Sequence, residues 1–282
     1  MAISKTDFDY VSRLAHSEAA IVLEPGKEYL VETRLGPLAQ QEGFASLAAL
    51  IQQMRTEIKV NGLHHKAIDA LTTNETLFFR DYHPFEALRR FILPEVLEQR
   101  SSARRLALWS AACSTGQEPY SLAMLLLEHF PQLADWSVSI LATDLSPTVL
   151  KAAQQGKYSQ FEVNRGLPAS YLVKYFTKQD EAWCVKDAVK RMIEFRPMNL
   201  IQSWPVMPPL DLVFIRNVMI YFDVETKKTI LKKTRACLLP HGYLFLGAAE
   251  TTANLDPQFH AVTHGKAVVY RAQPPEPSTV IA

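Results

Sequence analysis

One short segment of the sequence could hold a small cationic ligand. Residues 112–121 read Ala-Cys-Ser-Thr-Gly-Gln-Glu-Pro-Tyr-Ser and follow a buried-strand pattern. A dinucleotide fingerprint needs three glycines so that the backbone can approach a pyrophosphate, and only Gly116 is present here. Gly116 would permit one close backbone approach, and Glu118 would supply a carboxylate for a cationic ligand group. The alternative makes Glu118 a first-turn helix residue favoured by the helix dipole.

A second acidic residue, Asp144, follows the next apolar run along the chain, residues 138–143. A carboxylate at this place can accept hydrogen bonds from two ribose hydroxyls side by side. It can also cap the helix that follows, and the two roles are compatible. One glycine, Glu118 and Asp144 together suggest a nucleoside whose other end is a charged amino acid. S-adenosylmethionine is such a molecule.

Polar residues elsewhere fall at places where a cleft is expected. Residues 72–81 form a polar patch that runs into two phenylalanines and Arg80. Polar groups at a domain junction often line a cleft, although a turn-rich loop with core phenylalanines is the structural alternative. Asn217 and Tyr221 follow another strand pattern, so they would lie at the same sheet edge as Asp144 unless Tyr221 belongs to the core. Asn199 and Leu200 also follow a strand, where an adenine edge could be hydrogen-bonded.

The elements that position these residues alternate between strands and helices. Apolar strand patterns occupy residues 106–111, 138–143, 211–216, 243–247 and 267–270, and helical patterns lie between several of them. This alternation predicts an α/β fold with a doubly wound, mostly parallel sheet. Right-handed crossovers would place helices on both faces, and ligands would bind at the carboxyl ends of the strands.

The rest of the chain divides into further predicted parts. Residues 1–75 carry helical apolar spacing and predict an N-terminal helical domain, with a second helix that ends near Gly36-Pro37. Residues 76–272 would form the cofactor-binding α/β domain, with a small antiparallel β insert at about 171–196. The Pro-rich residues 273–282 predict a disordered tail.

Composition excludes several classes of function. The chain has 282 residues, a formal net charge of +1 and 10 glycines, and glycine at half its usual share of roughly 7% weakens any phosphate-loop interpretation. A near-neutral charge argues against nucleic-acid binding. The sequence contains no run of about 18 apolar residues, so it predicts no membrane span. Three separated cysteines and the lack of a metal-ligand spacing predict a reduced, cytoplasmic protein without a metal site.

Four blocks of the sequence resemble the CheR-type chemoreceptor glutamate methyltransferases over about residues 8–271. The blocks are Asn74-Glu-Thr-Leu-Phe-Phe-Arg80, Trp109 to Ser121, Met198-Asn-Leu200 and Arg216-Asn-Val-Met-Ile-Tyr-Phe222. The resemblance implies a class I methyltransferase-like fold and an enzyme that methylates glutamate side chains of methyl-accepting chemotaxis receptors. It implies S-adenosyl-L-methionine as cofactor and S-adenosyl-L-homocysteine as product.

The resemblance also implies roles for individual positions. The positions that match cofactor contacts are Asn74, Thr76, Arg80, Glu118, Asp144, Asn199, Leu200 and Asn217. Arg80 and Tyr221 match the residues that face the transferred methyl group and the substrate carboxylate. The nucleophile would be an ionised carboxylate with a pKa of about 4.3, so no general base is required and Cys113 is not needed.

The implied partner is the cytoplasmic helical part of a receptor. A monomer is expected, because the sequence has no obvious oligomerisation motif. Arg55, Lys59 and Lys66 fall roughly on one helix face and could meet an acidic receptor helix, although a solvated face explains them as well. The short, glycine-free segment 176–185 is more similar to members without a receptor-tail tether. Alternatives are a methyltransferase for another protein or small carboxylate, and a non-catalytic regulator that binds the cofactor or the receptor.

Overall fold

The computed structural model describes residues 3–272, so the predicted disorder of residues 273–282 lies outside the described part. The N-terminal residues form four helices, α1 (Lys5–Ala19), α2 (Glu28–Gln41), α3 (Leu47–Thr56) and α4 (Gly62–Leu71). Ser4 and Ser46 cap α1 and α3 by accepting a backbone N–H with their hydroxyls. These helices bury an apolar core of their own, which includes Val11, Leu35 and Leu50.

The prediction that the second helix ends near Gly36-Pro37 is wrong. Helix α2 continues through Pro37 to Gln41. A proline inside a helix removes one backbone hydrogen bond. Leu35, Leu38 and Ala39 are nevertheless buried in the helical core, and most helical stability in proteins comes from such packing of an apolar face.

The remaining described residues form an α/β unit. Its helices are α5 (His83–Ala87), α6 (Leu93–Gln99), α7 (Gln117–His129), α8 (Pro147–Gln155), α9 (Gln160–Val163), α10 (Ala169–Tyr175), α11 (Asp187–Lys190) and α12 (Val224–Cys237). A π-helical turn, Leu88–Ile92, joins α5 to α6, and short 3-10 turns occupy Pro131–Asp135 and Met219–Tyr221. Its strands are β1 (Arg105–Ala111), β2 (Ser137–Asp144), β3 (Lys157–Ser159), β4 (Phe176–Gln179), β5 (Ala182–Val185), β6 (Ile193–Pro197), β7 (Leu210–Ile215), β8 (Leu238–Leu246), β9 (Phe259–His264) and β10 (Ala267–Ala272).

Seven of these strands form one mostly parallel sheet, as the alternation predicts. Their order is β6-β2-β1-β7-β8-β10-β9. The pairs from β6 to β8 are parallel, and β10 pairs antiparallel with both β8 and β9. Ala111 lies opposite both Thr143 and Ile215. The carboxyl ends of β2, β1 and β7 therefore meet at one edge.

The sheet has an apolar core on each face. Successive side chains of a strand point to opposite faces. Leu106 and Leu108 of β1 belong to one buried cluster with residues of α7, and Trp109 belongs to the other cluster with Ile230 of α12. Helices therefore cover both faces, which confirms the doubly wound prediction. Within residues 3–272 no helix is long and apolar enough to cross a membrane.

The small antiparallel β insert is present, but its composition differs from the prediction. It consists of β3, β5 and β4 in that order, and β6, which was assigned to the insert, pairs with β2 as an edge of the large sheet. Residues 171–175 are helical rather than extended, because Tyr171 and Tyr175 are spaced by four and both pack against the main core. A six-residue apolar run does not distinguish a strand from a short buried helix.

Candidate active site

A cavity lies at the carboxyl ends of β2, β1 and β7, between the α/β unit and the N-terminal helices. All the predicted site residues except Gly116 line this one cavity: Asn74, Thr76, Arg80, Glu118, Asp144, Asn199, Leu200, Asn217 and Tyr221. Parallel strands bring residues that are far apart in the chain to the same edge. The strand-end reasoning therefore brings Asp144, Asn217 and Tyr221 to one cavity, and their roles stay predictions.

Gly116 has another place in the structure. It begins α7 with a φ of +94°, and a Cβ atom there would lie 3.0 Å from the Cβ of Ala153 and 3.2 Å from the hydroxyl of Tyr158. The glycine is therefore required by the turn and by close packing against α8 and the β insert. These protein atoms explain the glycine, and the predicted ligand contact of Gly116 stays a prediction.

Asp144 ends β2 and points into the turn after β1. Its Oδ2 accepts the backbone N–H of Ser114 at 2.8 Å, and its Oδ1 accepts that of Ser146 at 2.9 Å. Burial raises the pKa of Asp144, while the two backbone donors act in the opposite direction. A carboxylate has about four acceptor positions, so each oxygen retains capacity for one more donor. Asp144 is thus able to accept two ligand hydroxyls.

Glu118 is held by a buried arginine to which the sequence analysis assigned no role. The hydroxyl of Ser110 donates to Glu118 Oε1 at 2.8 Å, and Arg216 Nη1 donates to Oε2 at 2.9 Å. The same guanidinium pairs with Asp81 at 2.7 Å and donates to the carbonyl of Arg80 at 2.8 Å. Its side chain is 1% exposed. The sequence contains a sign of this contact, because an arginine at the end of an apolar strand pattern needs acidic partners if it is to be buried.

Arg80 stands in a loop with an unusual backbone. Phe79, Asp81 and Tyr82 have φ values of 50°, 68° and 49°, a region that residues other than glycine rarely adopt. Arg216 holds the carbonyl of Arg80. The Arg80 guanidinium donates to the carbonyl of Glu75 at 2.9 Å, which uses one of its five N–H groups. Other donors of Arg80 therefore remain available at the cavity.

Asn217 and Tyr221 are carried by the turn that follows β7. Asn217 has a φ of 59°, and a 3-10 turn at Met219–Tyr221 comes directly after it. The carbonyl of Tyr221 accepts the backbone N–H of Val22 at 3.0 Å. The segment between α1 and α2 is thereby attached to this turn and forms part of the cavity wall.

The amide of Asn199 makes one hydrogen bond through each of its polar atoms to the protein. Its Nδ2 donates to the carbonyl of Glu18 at 2.7 Å, and its Oδ1 accepts the backbone N–H of Ile201 at 3.1 Å. The side chain therefore fixes the end of α1 against the α/β unit, while one N–H and one lone pair of its amide remain for a ligand. The predicted contact of Asn199 with an adenine edge stays a prediction. Leu200 and Met198 are nearly buried beside it and give the cavity an apolar wall.

The N-terminal helices contribute side chains to the cavity, in addition to the junction segment that the sequence predicted. Arg34 of α2 donates to the carbonyls of Leu71 and Thr72 and, at 2.9 Å, to the hydroxyl of Thr73. It holds the segment that leads into Asn74. Arg34 also lines the cavity itself. The connection from α4 to Asn74 is thus fixed by a side chain of the helical part.

The groups that line the cavity suit a nucleoside joined to an amino acid. The cavity offers two carboxylates with spare acceptor capacity, an apolar wall and a turn whose Ala112 and Ser114 are left-handed. In the described residues no group of three or more His, Cys, Asp and Glu side chains could hold a metal ion. Cys113 is 2% exposed, and burial raises the pKa of its thiol well above the ordinary value. A protonated, enclosed thiol is a poor nucleophile.

Comparison with known proteins places these features in a family. Residues 6–72 match the CheR methyltransferase all-alpha domain, and residues 74–268 match the CheR methyltransferase SAM binding domain. Chemotaxis protein methyltransferase 1 of Pseudomonas aeruginosa is 42% identical over 97% of this chain and all of its own length. Chemotaxis protein methyltransferase Cher2 of Pseudomonas putida is 39% identical over 97% of this chain and 100% of its own. The chemotaxis protein methyltransferase of Vibrio parahaemolyticus is 40% identical over 96% of this chain and 98% of its own.

These matches confirm the family that the four sequence blocks indicate, and with it the cofactor and the type of reaction. The two matched domains correspond to the helical part and the α/β part seen in the structure. The chain belongs to the CheR methyltransferase family and is an S-adenosylmethionine-dependent methyltransferase of chemotaxis.

Proposed function

We propose that this enzyme transfers the methyl group to glutamate side-chain carboxylates of methyl-accepting chemotaxis receptors and produces glutamate methyl esters. The observation that carries the proposal is the placement of Arg80 and Tyr221 in the same cavity as Asp144 and Glu118. A guanidinium and a phenol there present donors to an incoming carboxylate. The names of the related chemotaxis protein methyltransferases support the receptor as substrate.

The proposed chemistry needs no proton transfer. When bound, S-adenosylmethionine would supply a methyl group activated by its sulfonium, which would leave as a neutral thioether when the methyl group is transferred to a carboxylate oxygen. The glutamate is ionised at pH 7 because its ordinary pKa is about 4.3. The protein therefore contributes mainly alignment, which can supply about 7–11 kcal/mol.

The residues of the cavity divide between the two substrates. We assign Asp144 to the ribose hydroxyls and Glu118 to the cationic amino group of the cofactor, with Asn74, Thr76 and Asn217 as further polar contacts. Leu200 would form an apolar wall beside the adenine. Arg80 and Tyr221 would orient the glutamate carboxylate. The single bond from Arg80 to the carbonyl of Glu75 holds its guanidinium without consuming the donors that face the cavity.

The contacts give little support to receptor docking through a basic stripe formed by Arg55, Lys59 and Lys66. Arg55 pairs with Asp7 at 3.0 Å, and Lys66 pairs with Glu42 at 2.7 Å. Two of the three cations of the proposed stripe are therefore neutralised within the helical part. We propose that the receptor helix is recognised mainly by shape. The two-residue connection between β4 and β5 agrees with recognition that does not use a receptor-tail tether.

The remaining parts of the proposal concern organisation. Residues 1–75 would act as a helical domain and residues 76–272 as the cofactor-binding domain, in a cytoplasmic monomer that binds no nucleic acid. The separate apolar core of α1–α4 supports the division. A methyltransferase for another carboxylate would use the same cavity, so only the accepted substrate separates the two functions.

The decisive experiment supplies methyl-labelled cofactor and purified cytoplasmic domains of receptors. Transfer to receptor glutamates is expected, with release of labelled methanol in mild base because methyl esters hydrolyse there. Receptor domains with alanine in place of the methylated glutamates serve as the control. Label that resists base, or label on small carboxylates but on no receptor, would contradict the proposal.

A further inference from the structure

Glu250 lies outside the cavity, yet its carboxylate holds the turn that carries two residues of the site. Four backbone N–H groups donate to it, from Asn217 to Oε2 at 2.8 Å, from Gly247 to Oε2 at 2.6 Å, from Val218 to Oε1 at 2.9 Å and from Ile220 to Oε1 at 3.3 Å. Three of these donors belong to the segment from Asn217 to Tyr221. The carboxylate therefore binds this segment by its backbone.

The arrangement follows from the sheet. Strands β7 and β8 are parallel neighbours, with Ile215 opposite Leu246, so the turns that follow them lie side by side. The backbone N–H of Glu250 donates to the carbonyl of Gly247 at 2.9 Å, which closes a tight turn and directs the side chain back toward β7.

Gly247 makes the close approach possible. A Cβ atom at this position would lie 2.7 Å from Oε2 of Glu250 and 2.8 Å from the backbone nitrogen of Asn217. Any larger residue would push the carboxylate and the turn apart. The glycine is therefore explained by this contact.

The carboxylate stabilises a backbone that is unfavourable by itself. Asn217 is left-handed, with a φ of 59°, and such residues persist only when their surroundings hold them. Successive N–H groups around a left-handed residue form a concavity that favours an anion. Glu250 supplies that anion from within the chain.

We propose that Glu250 is a positioning residue for methyl transfer, because its carboxylate fixes the 217–221 turn so that Asn217 and Tyr221 face the cavity. The inference rests on the roles proposed above for these two residues. Glu250 does not line the cavity. Its removal is expected to act through the geometry of the turn.

The test begins with Glu250→Gln, which keeps the shape of the side chain but removes its charge. A glutamine has one acceptor oxygen, and its NH2 group would face backbone N–H donors. We expect kcat, expressed per cofactor-binding site counted by calorimetry, to fall at least tenfold, with the KM for the receptor domain within threefold of the wild type. Glu225→Gln is the control, because Glu225 is exposed and, within residues 3–272, its carboxylate pairs with Lys228 alone; it should behave as the wild type.

A double-mutant cycle separates positioning from general stability. If Glu250 acts through the phenol of Tyr221, Glu250→Gln should lower kcat less than threefold in a Tyr221→Phe background. Multiplicative losses, or a wild-type kcat in Glu250→Gln, would overturn the inference. If Glu250→Gln proves insoluble, Glu250→Asp, which keeps the charge but is shorter, should give an intermediate kcat; a wild-type kcat there would also count against it.

The affinity for the cofactor tests the role of Glu250 separately from the proposed role of Tyr221. Should Tyr221→Phe alone retain full turnover, the catalytic role of Tyr221 fails. The affinity for S-adenosylmethionine then decides about Glu250 through Asn217. Glu250→Gln should weaken cofactor binding in the same direction as Asn217→Ala, by threefold or more, and an unchanged affinity would overturn the inference.

Discussion

Arg216 connects both sides of the cavity, and its replacement by methionine is the most informative perturbation of the site. Its guanidinium pairs with Glu118 at 2.9 Å and with Asp81 at 2.7 Å, and it donates to the carbonyl of Arg80 at 2.8 Å. Methionine retains much of the apolar stem but removes the charge and every donor. The variant therefore leaves Glu118 and Asp81 without their cation.

The size of the effect follows from burial. Removal of one partner of a buried ion pair costs about 3–5 kcal/mol. Asp81 is 36% exposed and can be solvated, whereas Glu118 is 12% exposed and retains the hydroxyl of Ser110 as a donor. We therefore expect the lower end, about 3 kcal/mol less free energy of unfolding. At about 2–4 °C per kcal/mol for a chain of this size, the melting temperature should fall by roughly 6–12 °C.

Urea unfolding at pH 7 measures the loss, and a second variant tests its cause. Arg216→Met combined with Glu118→Gln should regain stability relative to Arg216→Met, because the neutral amide removes the uncompensated buried charge while it can still accept from Ser110. A change of less than about 0.5 kcal/mol in Arg216→Met would place it among ordinary surface substitutions and refute the reasoning. A double variant less stable than Arg216→Met would refute the assignment of the cost to Glu118.

Three further predictions concern other parts of the site and its frame. Arg80→Ala should lower turnover about 100-fold or more, as loss of an aligned donor does, and leave the calorimetric affinity for the cofactor within a few-fold; wild-type turnover would contradict the role. Asp223 caps α12, and its hydrogen bonds lower its pKa from the ordinary 3.8 to about 2. Asp223→Ala should therefore cost about 1 kcal/mol of unfolding free energy at pH 7, and urea unfolding should show the difference decreasing below pH 4 and vanishing below pH 2. Cys113, with its raised thiol pKa, should resist iodoacetamide in the folded protein at pH 7, and Cys113→Ser should keep full turnover; rapid alkylation seen by mass spectrometry would show that the thiol is accessible.

The position of the site was predictable because a parallel sheet has few possible geometries. Asp144 and Asn217 lie far apart in the chain, yet each follows a strand, and parallel strands end at the same edge. The strand patterns alone therefore predicted that the two residues would line one cavity. Arg80, which follows no strand, was located by its sequence block and by its place at the junction of the two parts.

The partners of these residues were not predictable in the same way. Arg216 and Glu250 act through contacts with segments distant in sequence, and those contacts depend on loop conformations that no periodicity reveals. Asn199 is a further example, because nothing in the sequence showed that one N–H of its amide donates to the carbonyl of Glu18. The residue type limits which hydrogen bonds are possible, whereas the loop conformation determines which of them form.

The scarcity of glycine takes on a different meaning in this structure. The shortage of glycine argued against a phosphate-binding loop, yet left-handed turns are present around the cavity, at Phe79, Asp81, Ala112, Ser114 and Asn217. Each such residue costs roughly 1–2 kcal/mol relative to an ordinary backbone, and glycine would remove that cost.

Glycine would also remove the contacts that fix the loops. The carboxylate of Asp81 pairs with Arg216, and the hydroxyl of Ser114 donates to the carbonyl of Asn74 at 2.8 Å. A glycine at either position would relax the backbone but release a neighbouring loop of the site. In the proposed mechanism alignment supplies most of the rate, so loops that hold the site residues in place are expected to favour turnover. Asp81→Gly should therefore lower turnover even where it leaves the fold intact.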